Sequence, residues 1–348
     1  MQKATTKNIV TTLLKLAFCG ATIVMVAWAI VIVDSSGDVK ETSADLLSLS
    51  PVPMTNTARF ENSLDHLGHS EPRIFDHNGN EIGFSNRVTR KRPIRLVDDY
   101  QRAFVEQGVN ERAYQGIPGA GLDPRRATDD ELREADAEAL ARQEAMMSGQ
   151  VIPLEIQANR VTMGSVLLEG KPQTRRALRD QLAADGPKDL SKLYDGYRYI
   201  VAERDEESGV TSVTAAWSRG EFDMERNEPK TGSEARELDE QTGIPTCIGC
   251  SRVSDFSGQA NAADDHVTVF GSQRDPGQLT HFYDQAMRQR GWQPTRTNRL
   301  LGRVLDYADD APDNLRLRQY QRNGEMMTIG IRQEPGLDKT TITTYQSK

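Results

Sequence analysis

The residues best suited to chemistry are Cys247 and Cys250, set in the run Pro245-Thr246-Cys247-Ile248-Gly249-Cys250-Ser251. Two cysteines at this spacing can form a redox dithiol, half of a zinc site, a haem attachment or a structural disulfide. Haem attachment requires a histidine directly after the second cysteine, and Ser251 stands there. A structural zinc needs a second ligand pair, yet the sequence holds no other Cys-x-x-Cys, and the nearest histidine is His266. A thioredoxin-like centre lowers its thiol pKa by seating the first cysteine at a helix N-terminus, whereas residues 251–258 read as loop or strand. The expectation is a disulfide between Cys247 and Cys250, with a redox pair and free thiols as the alternatives. The remaining cysteine, Cys19, lies in an apolar run and reads as a small apolar residue.

The five histidines are scattered. His66 and His69 have helical spacing, but Gly68 between them and the unpatterned flanks favour two surface histidines over a metal pair. His281 falls beside an apolar helical stripe and reads as a flanking residue. The Gly-rich run from Gly116 to Gly121 lacks the lysine and the strand–helix context of a phosphate loop, so it is expected as a plain loop. The acidic runs Asp309-Asp310 and Asp129-Asp130-Glu131 lack calcium-loop spacing and read as solvated faces. No Gly-x-Ser-x-Gly, Walker loop or His-Glu-x-x-His occurs. The sequence therefore predicts no catalytic residue, no metal and no cofactor.

Residues 16–33 form eighteen consecutive uncharged positions, LAFCGATIVMVAWAIVIV, a run that as a helix spans ~27 Å of hydrocarbon. Leu13 and Leu14 lengthen it, giving an expected transmembrane anchor over 13–33 after a cytoplasmic tail of 1–12. Lys3, Lys7 and Lys15 precede the run with no acid among them, while Asp34, Asp38, Glu41 and Asp45 come after it. Positive charge stays inside, so the body is expected on the exported side. Ala27-Trp28-Ala29 would suit a cleaved signal peptide, but Ile30 to Val33 continue the apolar run past it. Ala17 and Ala21 share a helix face that would let two anchors self-associate. None of the thirteen asparagines begins a glycosylation sequon, which favours a bacterial periplasm. A net charge of −8, with Arg90-Lys91-Arg92 as the basic cluster, excludes nucleic acid as the expected partner.

Beyond the anchor, residues 34–70 read as a flexible tether rich in Ser, Thr, Pro and Asn. Residues 71–150 read as a mixed region: a hairpin turning at Asn78-Gly79, a helix from Asp98 to about Gln107, and a helix opened by the Thr128/Glu131 capping box. Two α+β modules complete the chain, 151–240 and 241–348. The first runs from a strand at 160–163 through a helix between Pro172 and Gly186 to strands at 197–201 and 210–217. The second has a strand at 266–270, a helix from Pro276 to Gly291 with Leu279, Phe282, Tyr283, Ala286 and Met287 in an apolar stripe, and strands at 303–307, 315–319, 327–331 and 340–345. Thr162, Gly164 and Ser165 match Thr268, Gly271 and Ser272, which suggests a tandem duplication. The expected fold class is α+β, each module a two-layer sandwich of helix on a mostly antiparallel sheet.

Arg73-Ile74-Phe75-Asp76-His77-Asn78-Gly79-Asn80-Glu81-Ile82, with Pro93-Ile94-Arg95-Leu96 and Ala103-Phe104-Val105, resembles the stretch leading into the transglycosylase domain of bifunctional penicillin-binding proteins. That resemblance implies cell-wall glycosyl transfer by a Glu-Asp pair soon afterwards. Glu106-Gln107-Gly108 stands here instead, and no catalytic residue carries over. The function expected is that of a non-enzymatic, single-pass inner-membrane protein whose periplasmic body acts by protein–protein contact as an accessory or assembly subunit of a pilus, secretion or cell-wall machine. The alternatives are a cell-wall-active enzyme or peptidoglycan binder, and a periplasmic thiol–disulfide protein.

Overall fold

The computed structural model describes residues 55–118, 128–168, 194–259, 266–295, 315–333 and 339–347. The expected tail and anchor, the tether up to residue 54, the helix between Pro172 and Gly186, and the strand at 303–307 lie outside them. Among the described residues no helix is long and apolar enough to cross a membrane.

The described chain is mixed α+β. Its strands are β1 (Arg73–His77), β2 (Asn80–Thr89), β3 (Ile152–Ile156), β4 (Arg160–Leu168), β5 (Tyr194–Arg204), β6 (Thr211–Ser218), β7 (Ser251–Gln259), β8 (His266–Ser272), β9 (Gln293–Pro294), β10 (Leu315–Arg322), β11 (Glu325–Gln333) and β12 (Thr340–Ser347). These described strands form one sheet in the order β3-β4-β5-β6-β2-β1-β7-β8-β12-β11-β10-β9. Every pairing in it is antiparallel. The hairpin that the sequence set apart in 71–150 is the middle of this sheet: β2 pairs with β6 on one side, and β1 with β7 on the other.

Local chemistry explains the hairpin. Asn78 and Gly79 both have positive φ, 53° and 83°. This is the two-residue turn whose twist matches antiparallel strands, and Asn and Gly are the residues that tolerate it. The Asp76 carboxylate accepts the Gly79 N–H at 2.7 Å and closes the turn.

Residues 56–66, expected in the tether, form helix α1 (Asn56–His66) instead. The Thr55 hydroxyl caps it by accepting the Ala58 N–H, and its Phe60 and Leu64 are buried. Phe60 packs edge-on against Trp217, and the Trp217 indole N–H donates to Glu61 at 2.9 Å. The buried guanidinium of Arg198 donates to the carbonyls of Asn56 and Gly149 at 2.9 and 2.8 Å, so α1 is locked to the sheet. Two apolar side chains one turn apart were too weak a pattern to stand out among polar neighbours, yet they complete a core.

Helix α2 (Pro93–Glu106) begins at the proline rather than at Asp98, because proline suits a first helical turn. Helix α3 (Asp129–Met147) carries the full capping box: Thr128 N–H donates to the Glu131 carboxylate at 2.7 Å, and Glu131 N–H to the Thr128 hydroxyl at 3.3 Å. Helix α4 (Gly232–Thr242) had no sequence signal, and helix α5 (Pro276–Gln289) is capped by Asp275. The residues Gln115 and Gly116 are loop, their carbonyls held by Arg142 at 2.7 Å each.

Alternation along the strands sorts the core. Val213, Ala215 and Trp217 of β6 join Phe60, Tyr100 and Phe104 on the helical face. Their neighbour Ala216 joins Phe75, Phe84, Tyr197 and Phe256 on the opposite face. A separate cluster packs Leu279 and Tyr283 of α5 over Ile329, Ile331 and Ile342.

Candidate functional site

Cys247 and Cys250 lie in the connection from α4 to β7, and their sulfurs are bonded. Between them Cys250 N–H donates to the Cys247 carbonyl at 2.9 Å, and Gly249 takes φ 77°. The approach is fixed by Asp239, whose carboxylate accepts the Thr246 N–H at 2.8 Å and its hydroxyl at 2.5 Å. Both cysteines are buried, packed in one cluster with Ile244, Phe270, Leu279 and Tyr283. The chain arrives from the C-terminus of α4, and Ser251 starts a strand. A helix C-terminus carries partial negative charge, which disfavours a thiolate beside it. Sequestered sulfurs in an apolar cluster suit a covalent staple.

A second polar cluster gathers around Asp255. Its members come from the paired strands β7 and β8, beside the turn that follows β1. Asp255 receives Arg252 at 2.7 Å, His266 Nε2 at 2.5 Å and the Thr268 hydroxyl at 3.0 Å. Burial alone would raise the Asp255 carboxyl. The hydrogen bond and attraction of His266, the Arg252 charge and the Thr268 hydroxyl outweigh it and hold the carboxyl below its usual range. The hairpin turn is tied to the same strand: Asn78 N–H donates to the Asp255 carbonyl at 2.9 Å, and Asp255 N–H to the Asn78 side chain at 2.8 Å.

On the other face of the sheet, His77 Nε2 meets the Ser254 hydroxyl at 2.9 Å. Burial pushes the His77 imidazole down to about 4, against the opposing attraction of Asp255. Its Nδ1 has no hydrogen-bond partner among the described residues. A serine–histidine pair acts as a nucleophile when an acid orients and charges the imidazole. Here the carboxylate engages a different histidine, and strand alternation separates His77, beside the Phe256 ring, from Asp255. The two dyads are divided by the sheet and serve as ties.

His69, expected at the surface, is buried between Tyr100, at 2.5 Å, and Ser85, at 3.0 Å. Burial, reinforced by the Arg87 charge, lowers its imidazole to about 4 despite the Ser85 contact. It leaves α1 through Gly68, whose φ of 77° turns the chain into the sheet. His66 remains on the exposed side of α1, so the two histidines do not converge. His281 is an exposed residue of α5. Sequence spacing had no access to the Asp255 cluster, whose members come from separate strands brought together by pairing.

No family model matches the chain, and no curated protein or solved structure matches it either.

Proposed function

We propose that this chain is a single-pass inner-membrane protein whose periplasmic body works by protein–protein contact, as an accessory or assembly subunit of an envelope machine. The observation that carries the reading is the buried Cys247–Cys250 bond in a chain headed by a lysine-flanked apolar run. Disulfides persist in oxidising compartments, and the charge asymmetry around residues 16–33 directs the body to that side. Supporting it, the polar groups around Asp255 bind one another across strands and so act as architecture. The stretch that resembles penicillin-binding proteins forms the central hairpin and helix α2, where Phe75, Ile82, Leu96 and Phe104 serve the core.

The test is photo-crosslinking in native membranes from exposed positions such as Val88, Ile94 and Ile248, with mass-spectrometric identification of the captured neighbours. Reproducible capture of other envelope proteins supports the proposal. Recovery of lipid and self alone from every position overturns it.

A further inference from the structure

The strand order is a palindrome of equivalents. From the seam outward one side reads β1, β2, β6, β5, β4, β3, and the other reads β7, β8, β12, β11, β10, β9. In each half a helix precedes the first strand, α1 or α4, and another comes after the second, α2 or α5; the first half adds α3 before its third strand. We infer that the body is one αββαββββ unit used twice, 56–218 and 232–347, and that the β1–β7 contact is the surface by which one copy of the unit recognises the other.

Register carries this further than topology, because unrelated sheets of the same order have no reason to agree residue by residue. In the first unit Ser85 pairs with Ala215 and Thr89 with Thr211; in the second Thr268 pairs with Thr344 and Ser272 with Thr340. Ala202 opposite Val213 becomes Ile331 opposite Ile342, and Met163 opposite Ile200 becomes Arg318 opposite Ile329.

The helices agree in sequence on the same register. Pro93, Leu96, Tyr100, Ala103 and Gly108 correspond to Pro276, Leu279, Tyr283, Ala286 and Gly291, identical at all five places. Both glycines take positive φ, 70° and 82°, and after each comes an N–H that returns to the helix: Val109 to Phe104, Trp292 to Met287. One side-chain bond is also repeated. The hydroxyl of Thr211 donates to the Lys91 carbonyl at 2.7 Å, and that of Thr340 to the Arg274 carbonyl at 2.8 Å.

The seam has the symmetry that two copies require. Exchanging the units turns the pair Ile74–Gln259 into Asp76–Ser257, which is also paired, and returns Phe75–Gly258 to itself. This is an isologous contact, the kind a two-fold homodimer makes, with the partner supplied on the same chain. Among the described residues the units diverge at α3, present in the first alone, and at the disulfide. In the first, the chain passes directly from Gly68 through His69 into the sheet; in the second, the Cys247–Cys250 turn comes between Gly243 and the sheet. The sequence matching of 160–163 with 266–270 fails on this register, because β4 lies one strand from the sheet edge and β8 beside the seam.

The inference is tested by native-state hydrogen exchange on the full chain with Thr211→Val and Thr340→Val, mild changes that each delete one copy of the repeated bond. Two units joined at one edge open separately, so each variant is expected to speed exchange about tenfold in the strands of its own unit and leave the other unchanged. Equal acceleration across the whole sheet from either variant overturns the inference, as does acceleration confined to the opposite unit.

Discussion

His77 on β1 and Ser254 on β7 are joined at 2.9 Å across the seam between the two halves of the sheet, through an imidazole buried to 4% exposure. A neutral histidine therefore lies at the joint. His69, buried between Tyr100 of α2 and Ser85 of β2, is in the same condition.

Both imidazoles are lowered to about 4 in the folded state, chiefly by burial, from an ordinary value of 6.5. The unfolded chain thus binds more protons than the folded one between these values, and stability falls as pH drops through that window. Each histidine withdraws up to about 3 kcal/mol by pH 4. Urea unfolding from pH 7 to pH 4 is expected to show this slope, and His69→Gln to flatten it by roughly half. An unchanged slope in that variant would remove His69 as a cause.

Reducing Cys247–Cys250, or changing both to alanine, is expected to cost about 2 kcal/mol, the order set by closing so short a loop. The folded protein should show no exchange of the pair with glutathione until it opens. Thermal melts with and without reductant measure the first quantity, and alkylation kinetics under native conditions the second. Rapid alkylation of a folded, reduced sample would revive the thiol–disulfide alternative.

Phe60→Ala is expected to destabilise the body by about 3–5 kcal/mol, because a fully buried ring against Phe104 and Trp217 would leave a cavity. A residue in a flexible tether would cost nothing. Chemical denaturation of this single variant therefore decides whether residues 56–66 belong to the fold.

Gly83→Ala probes the same corner from below. A Cβ there would stand 2.6 Å from Trp217 Cζ2, so the indole must move and with it the bond to Glu61. A loss of about 1–3 kcal/mol is expected, with a shift in Trp217 fluorescence. Unchanged stability and emission would mean that the indole is free to give way.

The elements with local causes were legible. Asn78-Gly79 specifies its hairpin, Thr128 and Glu131 their capping box, and Pro276 with its apolar stripe the final helix, since each depends on neighbours within a few residues. Helix α4 was not legible, because it begins at Gly232, has no side-chain cap and is polar along most of its length. A strand, then Pro and Gly at helix spacing, occurs in both 151–240 and 241–348 and suggests one duplication from sequence; the repeat inferred from strand pairing instead aligns Pro93 with Pro276.

The sequence by itself determined the composition of the body as α+β, several of its turns and caps, and the adjacency of Cys247 to Cys250, all of which are short-range matters of backbone preference and spacing. Only the tertiary structure decided that one sheet runs through the whole described body, that β1 pairs with β7, and that His77 meets Ser254 on one face of β7 while Asp255 meets His266 on the other. Strand pairing is settled by burial and hydrogen bonding between segments far apart in the chain, and a row of residues carries no record of which distant edge will complete it.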